Sequence, residues 1–214
     1  MSHLVGTSLS RSRNKNLLAA SALSLLVSLL PIPARAALDW TEDMESLINV
    51  VLAGASKTIG KKAGAGPVQW TWCDNTYYDS RSNLICLEQD FMKQLSKVGD
   101  AAVSFVVAHE YAHHIQFTKS QLIAKAQRNT MRIELQADCF AGVILASIPN
   151  ISFDKEDTKN MIVAAALLGD KEFDSHSHHG AGENRALALR SGLRFGSTKG
   201  KVKDAYYKMF CLQK

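Results

Sequence analysis

Apolar residues recur at helical spacing in Met44, Leu47, Ile48 and Val51, which predicts a helix from about Thr41 to Ile59. The glycine-rich stretch from Gly60 to Pro67 reads as a flexible connection. The pattern then changes period. Val68-Gln69-Trp70-Thr71-Trp72 and Leu84-Ile85-Cys86-Leu87 read as two strands around the turn-rich residues Asp74 to Asn83, predicting a hairpin. Next, Gly99-Asp100 supplies a helix start signal, and Ala101 to Ala108 runs apolar without interruption, as in a buried helix. Phe117 to Asn129 is polar and suits a helical connection or a mobile flap. Met131 to Ile148 lacks proline and is rich in Ala, Leu and Ile until Pro149-Asn150 stops it. Asp154 caps a helix reaching Leu168 and ending at Gly169, and further helices fit Glu183 to Leu193 and Val202 to Met209. The chain shows no internal repeat. Its fold class is α+β, mostly helical, with a small antiparallel sheet.

The first thirty-six residues have a different pattern. Arg11, Arg13 and Lys15 precede an apolar run from Leu17 to Leu30, and Ala34-Arg35-Ala36 offers a small-residue cleavage site before Ala37. Residues 1–36 are therefore expected to be a secretory signal peptide, leaving 37–214 as a single domain, periplasmic or secreted. The apolar run is short for a bilayer span, although an uncleaved anchor stays open. Cleavage would remove four of the 25 basic residues and no acid, leaving 21 basic against 20 acidic. The basic character belongs mostly to the leader, so a nucleic-acid partner loses its support. Four cysteines in an exported chain favour pairing. Cys73 with Cys86 across the hairpin, and Cys139 with Cys211, is the expected arrangement, with four reduced cysteines as the alternative. Cysteine ligation of a metal is disfavoured by the absence of a Cys-x-x-Cys pair.

The chemistry concentrates in His109-Glu110-Tyr111-Ala112-His113. Residues four apart lie on one face of an α-helix, so both imidazoles can reach a single cation. Glu110 lies to the side of the pair, poorly placed as a ligand and well placed to take a proton from water activated by the metal. Glu134 is the candidate third ligand, with Asp138 one turn further along the same helix. If Glu134 binds metal, Asp138 can accept the second ring N–H of a ligating histidine. The competing reading makes Glu134 and Asp138 a solvated stripe with Arg128 and Arg132.

These segments resemble the gluzincin metallopeptidases, and more closely the family of bacterial neutral zinc metallopeptidases. That family carries a His-Glu-x-x-His-His-x-Gln helix, matched by His109 through Gln116, and a Glu-Leu-Gln-Ala-Asp-Cys-x-Ala-Gly segment, matched by Glu134 through Gly142. The resemblance spans roughly residues 100–190. It implies a zincin-like domain with one Zn2+ held by His109, His113 and Glu134, Glu110 as catalytic base and Asp138 behind the ligands. A third segment, Ser177 to Arg185, is similar to one that follows the ligand helices in related gluzincins. By that likeness His179 stabilises an oxyanion, and Arg185 orients an acid or the substrate backbone; a solvated His-rich loop is the alternative for His176 and His178. Gluzincins also pair substrate with an exposed strand edge, for which Leu84 to Leu87 is the candidate. Trp70, Trp72, Tyr77 and Tyr78 either line pockets or pack across the hairpin. The expected activity is peptide-bond hydrolysis on a peptide or unfolded-protein substrate. A chaperone-like quality-control role with a structural zinc, and a cell-wall peptide amidase, stand as alternatives.

Overall fold

The computed structural model describes residues 40–119, 129–169, 179–197 and 211. The expected leader, most of the polar connection after Phe117, His176, His178 and the expected helix at Val202 to Met209 lie outside the described residues.

Helix α1 (Trp40–Ala55) buries Met44, Ile48, Val51, Leu52 and Ala55, the stripe that its spacing predicts. It runs on through a wide π-helical turn, Ser56–Gly60, and a last α turn, α2 (Lys61–Ala63), before Gly64 ends it in the left-handed conformation at φ 70°. The chain is therefore helical three residues beyond Gly60, where the flexible connection was expected to begin. Tertiary packing holds it. A Cβ on residue 60 would run into the Tyr111 hydroxyl, and that hydroxyl donates to the Gly66 carbonyl at 2.9 Å.

The sheet departs from the expected hairpin. Its strands are β1 (Gln69–Cys73), β2 (Tyr77–Asp79) and β3 (Leu84–Glu88), in the order β1-β3-β2. β1 runs parallel to β3, with Trp70 opposite Ile85, and β2 runs antiparallel to β3, with Tyr78 opposite Ile85. The sheet is mixed rather than antiparallel because the supposed turn contains a strand of its own, which takes the antiparallel place beside β3. A tight turn returns the chain: Asp79 accepts from the Arg81 backbone and the Ser82 hydroxyl, and Asn83 adopts φ 54°. β3 is hydrogen-bonded on both sides, so it has no free edge for a substrate, contrary to expectation. Its consecutive buried residues Ile85, Cys86 and Leu87 suit that inner position. Trp70 and Trp72 bind α1, donating to Asn49 at 2.9 Å and Glu45 at 3.0 Å, so these two are packing residues.

Helix α3 (Gln89–Ser96) follows β3 directly and was not expected. Its only signal is the spacing of Phe91, Met92 and Leu95, and the last two are buried. Helix α4 (Asp100–Thr118) is the centre of the fold, buried on nearly every face from Ala101 to Gln116. Gly99 precedes it at φ 144°, and Asn160 occupies the space a side chain would need. Among the described residues three helices follow: α5 (Thr130–Ser147), α6 (Lys155–Leu167) and α7 (Gly182–Gly196). Asp154 forms a capping box with Asp157 at α6, where a start signal is read in the sequence, and Asn129 caps α5, a position not singled out in the sequence. α5 packs between α4 and α7. Gly142 on α5 and Gly192 on α7 face each other so closely that a Cβ on residue 192 would strike the Cys139 carbonyl oxygen. Cys73–Cys86 and Cys139–Cys211 are both bonded. Among the described residues no helix is long and apolar enough to cross a membrane.

Candidate metal centre

The close crossing of α4 and α5 brings His109, His113 and Glu134 together, each offering a ligand atom within 4.8 Å of the others. His109 Nε2 lies 3.2 Å from Glu134 Oε2 and 3.1 Å from His113 Nε2, and His113 Nε2 lies 3.4 Å from Glu134 Oε1. The other nitrogen of each ring is engaged elsewhere. Asp138, fully buried, accepts from His109 Nδ1 at 2.9 Å. Gln116, also fully buried, gives both amide protons away, to the Ile133 carbonyl and to Gln136 Oε1, each at 2.9 Å. Its Oε1, 2.8 Å from His113 Nδ1, must then be the acceptor there. Both Nδ1 atoms thus carry a proton, and both Nε2 atoms point into the same small space, beside a carboxylate.

Such an arrangement demands positive charge. Burial works against charge on the His109 ring, yet Asp138 and Glu134 push its pKa up to about 10. Burial likewise opposes the Glu134 carboxylate, while hydrogen bonds from His109 and His113 hold its pKa well below the usual range. Among the described residues two imidazole nitrogens and one carboxylate, set beside a cleft, form a donor set that suits zinc. Glu110 completes the fit. Only 6% exposed, its Oε2 is buried with no hydrogen-bond partner among the described residues, the position of a group that serves water or substrate. Burial raises its pKa.

Arg185 is buried and binds Asp138 through two bonds, Nε to Oδ2 at 2.8 Å and Nη2 to Oδ1 at 2.9 Å. It also donates to the Leu168 carbonyl at 2.9 Å and lies 3.7 Å from Glu134. Of the two roles that sequence similarity implies, orienting an acid matches these contacts. Burial disfavours its charge, but Asp138 more than compensates and raises its pKa. His179 lines the cleft near the three ligand residues.

That cleft measures about 500 Å3. Its walls include Tyr77 and Tyr78 from β2, Phe91 from α3, Val106 and Phe117 from α4, and Leu168. β2 rather than β3 therefore presents a strand edge beside the metal centre. His114 secures it, with Nε2 donating to the Gly66 carbonyl at 3.2 Å and Nδ1 accepting from the Tyr78 hydroxyl at 3.1 Å. A larger hollow of about 860 Å3, between the ends of α5 and α7, holds no histidine or carboxylate in its described lining. His114, Gln116 and Gln136 stand inside the two matched motifs, but the motifs give them no role. The spacing of Gln116, three residues after His113 on the same helix, is the signal that points to it.

The family described as "Putative neutral zinc metallopeptidase" matches residues 60–197. The chain belongs to that family. The matched span holds both ligand helices of this zinc metallopeptidase family member and the segment bearing His179 and Arg185. Among curated relatives, uncharacterized protein YpfJ of Escherichia coli K12 is 28% identical over 170 residues, covering 69% of this chain and 58% of the relative. Uncharacterized protein Rv2575 of Mycobacterium tuberculosis H37Rv is 33% identical over 93 residues, covering 35% of this chain and 31% of the relative. The chain thus spans little more than half the length of the Escherichia coli relative. No solved structure matches it.

Proposed function

We propose that the protein is an exported zinc-dependent endopeptidase that hydrolyses peptide bonds of peptide or unfolded-protein substrates, with Glu110 as general base. The observation that carries this reading is the pairing of a three-ligand set with an unsatisfied, buried Glu110 carboxylate in an open cleft. A structural zinc needs four protein ligands and has no use for a base. His109, His113 and Glu134 would hold the metal. Bound there, zinc supplies Lewis acidity, which lowers the pKa of water to about 7 and polarises a carbonyl. Glu110 accepts the proton that water loses and delivers it to the leaving amine. Asp138 and Gln116 keep both imidazoles in the binding tautomer, and Arg185 keeps Asp138 in place. An extended peptide reaches the centre along the β2 edge, where Tyr77–Asp79 pair with no further strand among the described residues. His179, on the cleft wall, is placed to meet oxyanion charge. Export is supported by the leader pattern and by the two disulfides.

The test is to incubate the oxidised, zinc-loaded chain with an unfolded protein and, separately, with cell-wall peptides. Cleavage of the unfolded protein that a chelator abolishes and added zinc restores is the expected result. Cleavage of the cell-wall peptides alone would make it an amidase, and full zinc content with no cleavage of either would make it a structural or chaperone-like zinc protein.

A further inference from the structure

Among the described lining residues of the cleft, charge does not balance, and the imbalance resides on Glu88. Among the described lining residues the acids are Glu88, Glu110 and Glu134. Glu110 and Glu134 face the metal position, where a divalent cation would offset both. Arg185, the arginine of the lining, is neutralised by Asp138 through two hydrogen bonds. Glu88 has no such partner: its carboxylate makes no hydrogen bond or ion pair with any described residue, and with a divalent cation in place it leaves the described lining net negative.

The position of Glu88 is built with care for its backbone and none for its side chain. It is the last residue of β3 and the N-cap of α3, so two elements fix its Cα. Its backbone N–H donates to Thr76 Oγ1 at 2.9 Å, and in register it faces Cys73, whose disulfide to Cys86 ties β1 to β3. An N-cap position favours Ser, Thr, Asp or Asn, whose short side chains bond the free helix N–H groups. Glu88 makes no capping bond. The chain forgoes a local gain in stability there, and breaks of a local rule concentrate at functional positions. Thr76 and Phe91 line the cleft on either side of the same junction.

We infer that Glu88 is a specificity-determining residue that binds a cationic group of the substrate, an ammonium or guanidinium, in a subsite beside the metal centre. The inference rests on the peptidase reading above and supplies its substrate class: peptides carrying positive charge near the cleaved bond. Two sources offer the cation, a Lys or Arg side chain and a free α-ammonium.

The experiment uses the full zinc-loaded chain, with Glu88→Gln and Glu88→Lys, on a peptide library in which each position near the scissile bond carries Lys, Arg, Gln or Glu, with free or acetylated N-termini. The parent should favour Lys or Arg over Gln at one position, or a free over an acetylated N-terminus, by roughly fivefold or more in kcat/KM. Glu88→Gln should bring that ratio to about one, and Glu88→Lys should invert it toward Glu. Loss of the preference on acetylation assigns the α-ammonium; its persistence assigns the side chain. A parent that cleaves without charge preference, or a preference that survives Glu88→Gln, overturns the inference. Dissociation constants for the same peptides on zinc-loaded Glu110→Gln, with and without Glu88→Gln, separate this outcome from failure of the peptidase reading. Tighter binding of cationic than neutral peptides that depends on Glu88 supports the subsite whatever the turnover, and equal binding refutes it.

Discussion

Glu110 and Gln116 do opposite things with their polar atoms, and both follow from burial. Gln116 satisfies all three of its hydrogen-bonding groups within the protein; Glu110 leaves one oxygen with no partner among the described residues. The first is a positioning device. Removing it leaves His113 free to turn or to change tautomer, so Gln116→Ala should weaken zinc affinity by about 10- to 100-fold, read by chelator competition. Unchanged affinity would remove Gln116 from the account. The second has a pH signature. Burial raises the Glu110 pKa above the ordinary carboxylate range, and the base works only when ionised. Activity should therefore be lost as pH falls through that raised value, giving an acid limb in kcat/KM above pH 4.5, the ordinary value for a glutamate. At this scale much was legible in the sequence. The four-residue spacing of His109 and His113 and of Glu134 and Asp138 predicts which side chains share a face, because helical periodicity is local. Which acid each ring would face, and that Arg185 would turn to Asp138 instead of outward, depends on how α5 and α7 approach α4.

Among the elements, that approach is set by glycine. A Cβ at residue 142 would meet the Leu189 carbonyl oxygen at 2.5 Å and the Leu193 amide nitrogen at 2.6 Å, and one at residue 192 would strike the Cys139 carbonyl. Cys139 adjoins Asp138, so this contact holds α7, and with it Arg185, against the acid behind His109. Gly192→Ala should push the helices apart, destabilising the fold by about 2–5 kcal/mol through overpacking and a weakened buried ion pair. Thermal or denaturant unfolding of the oxidised chain measures it, and a neutral effect would show that the helices can shift without loss. Element starts with a signal in the sequence, at Asp154 and at Gly99-Asp100, were legible to within a residue or two. The sheet was not. Alternating apolar residues mark a strand but not its direction, and the three residues of β2 sit among Asp74, Asn75 and Ser80, whose turn signals conceal them. The consequence reaches the proposed function, because the strand edge beside the cleft belongs to β2 and not to β3.

In the whole molecule, the central helix α4 carries half of the metal centre through the core, and everything that must be exact about that centre is anchored on its neighbours. α5 supplies Glu134, Asp138 and the Ile133 carbonyl that orients Gln116; α7 supplies Arg185; β2 closes the cleft. A site so constructed cannot be assembled from local structure, which is why zinc binding should be coupled to the packed fold. At free zinc of 100 times the dissociation constant, stability should rise by about 2.7 kcal/mol, visible as a higher Tm that EDTA reverses. The account stands most directly on one comparison: cleavage of an unfolded protein by the zinc-loaded parent and by Glu110→Gln at equal zinc content. The variant is predicted to hold one zinc per chain and to lose about 10²–10⁴-fold in turnover. A variant that retains zinc and cleaves like the parent would contradict it.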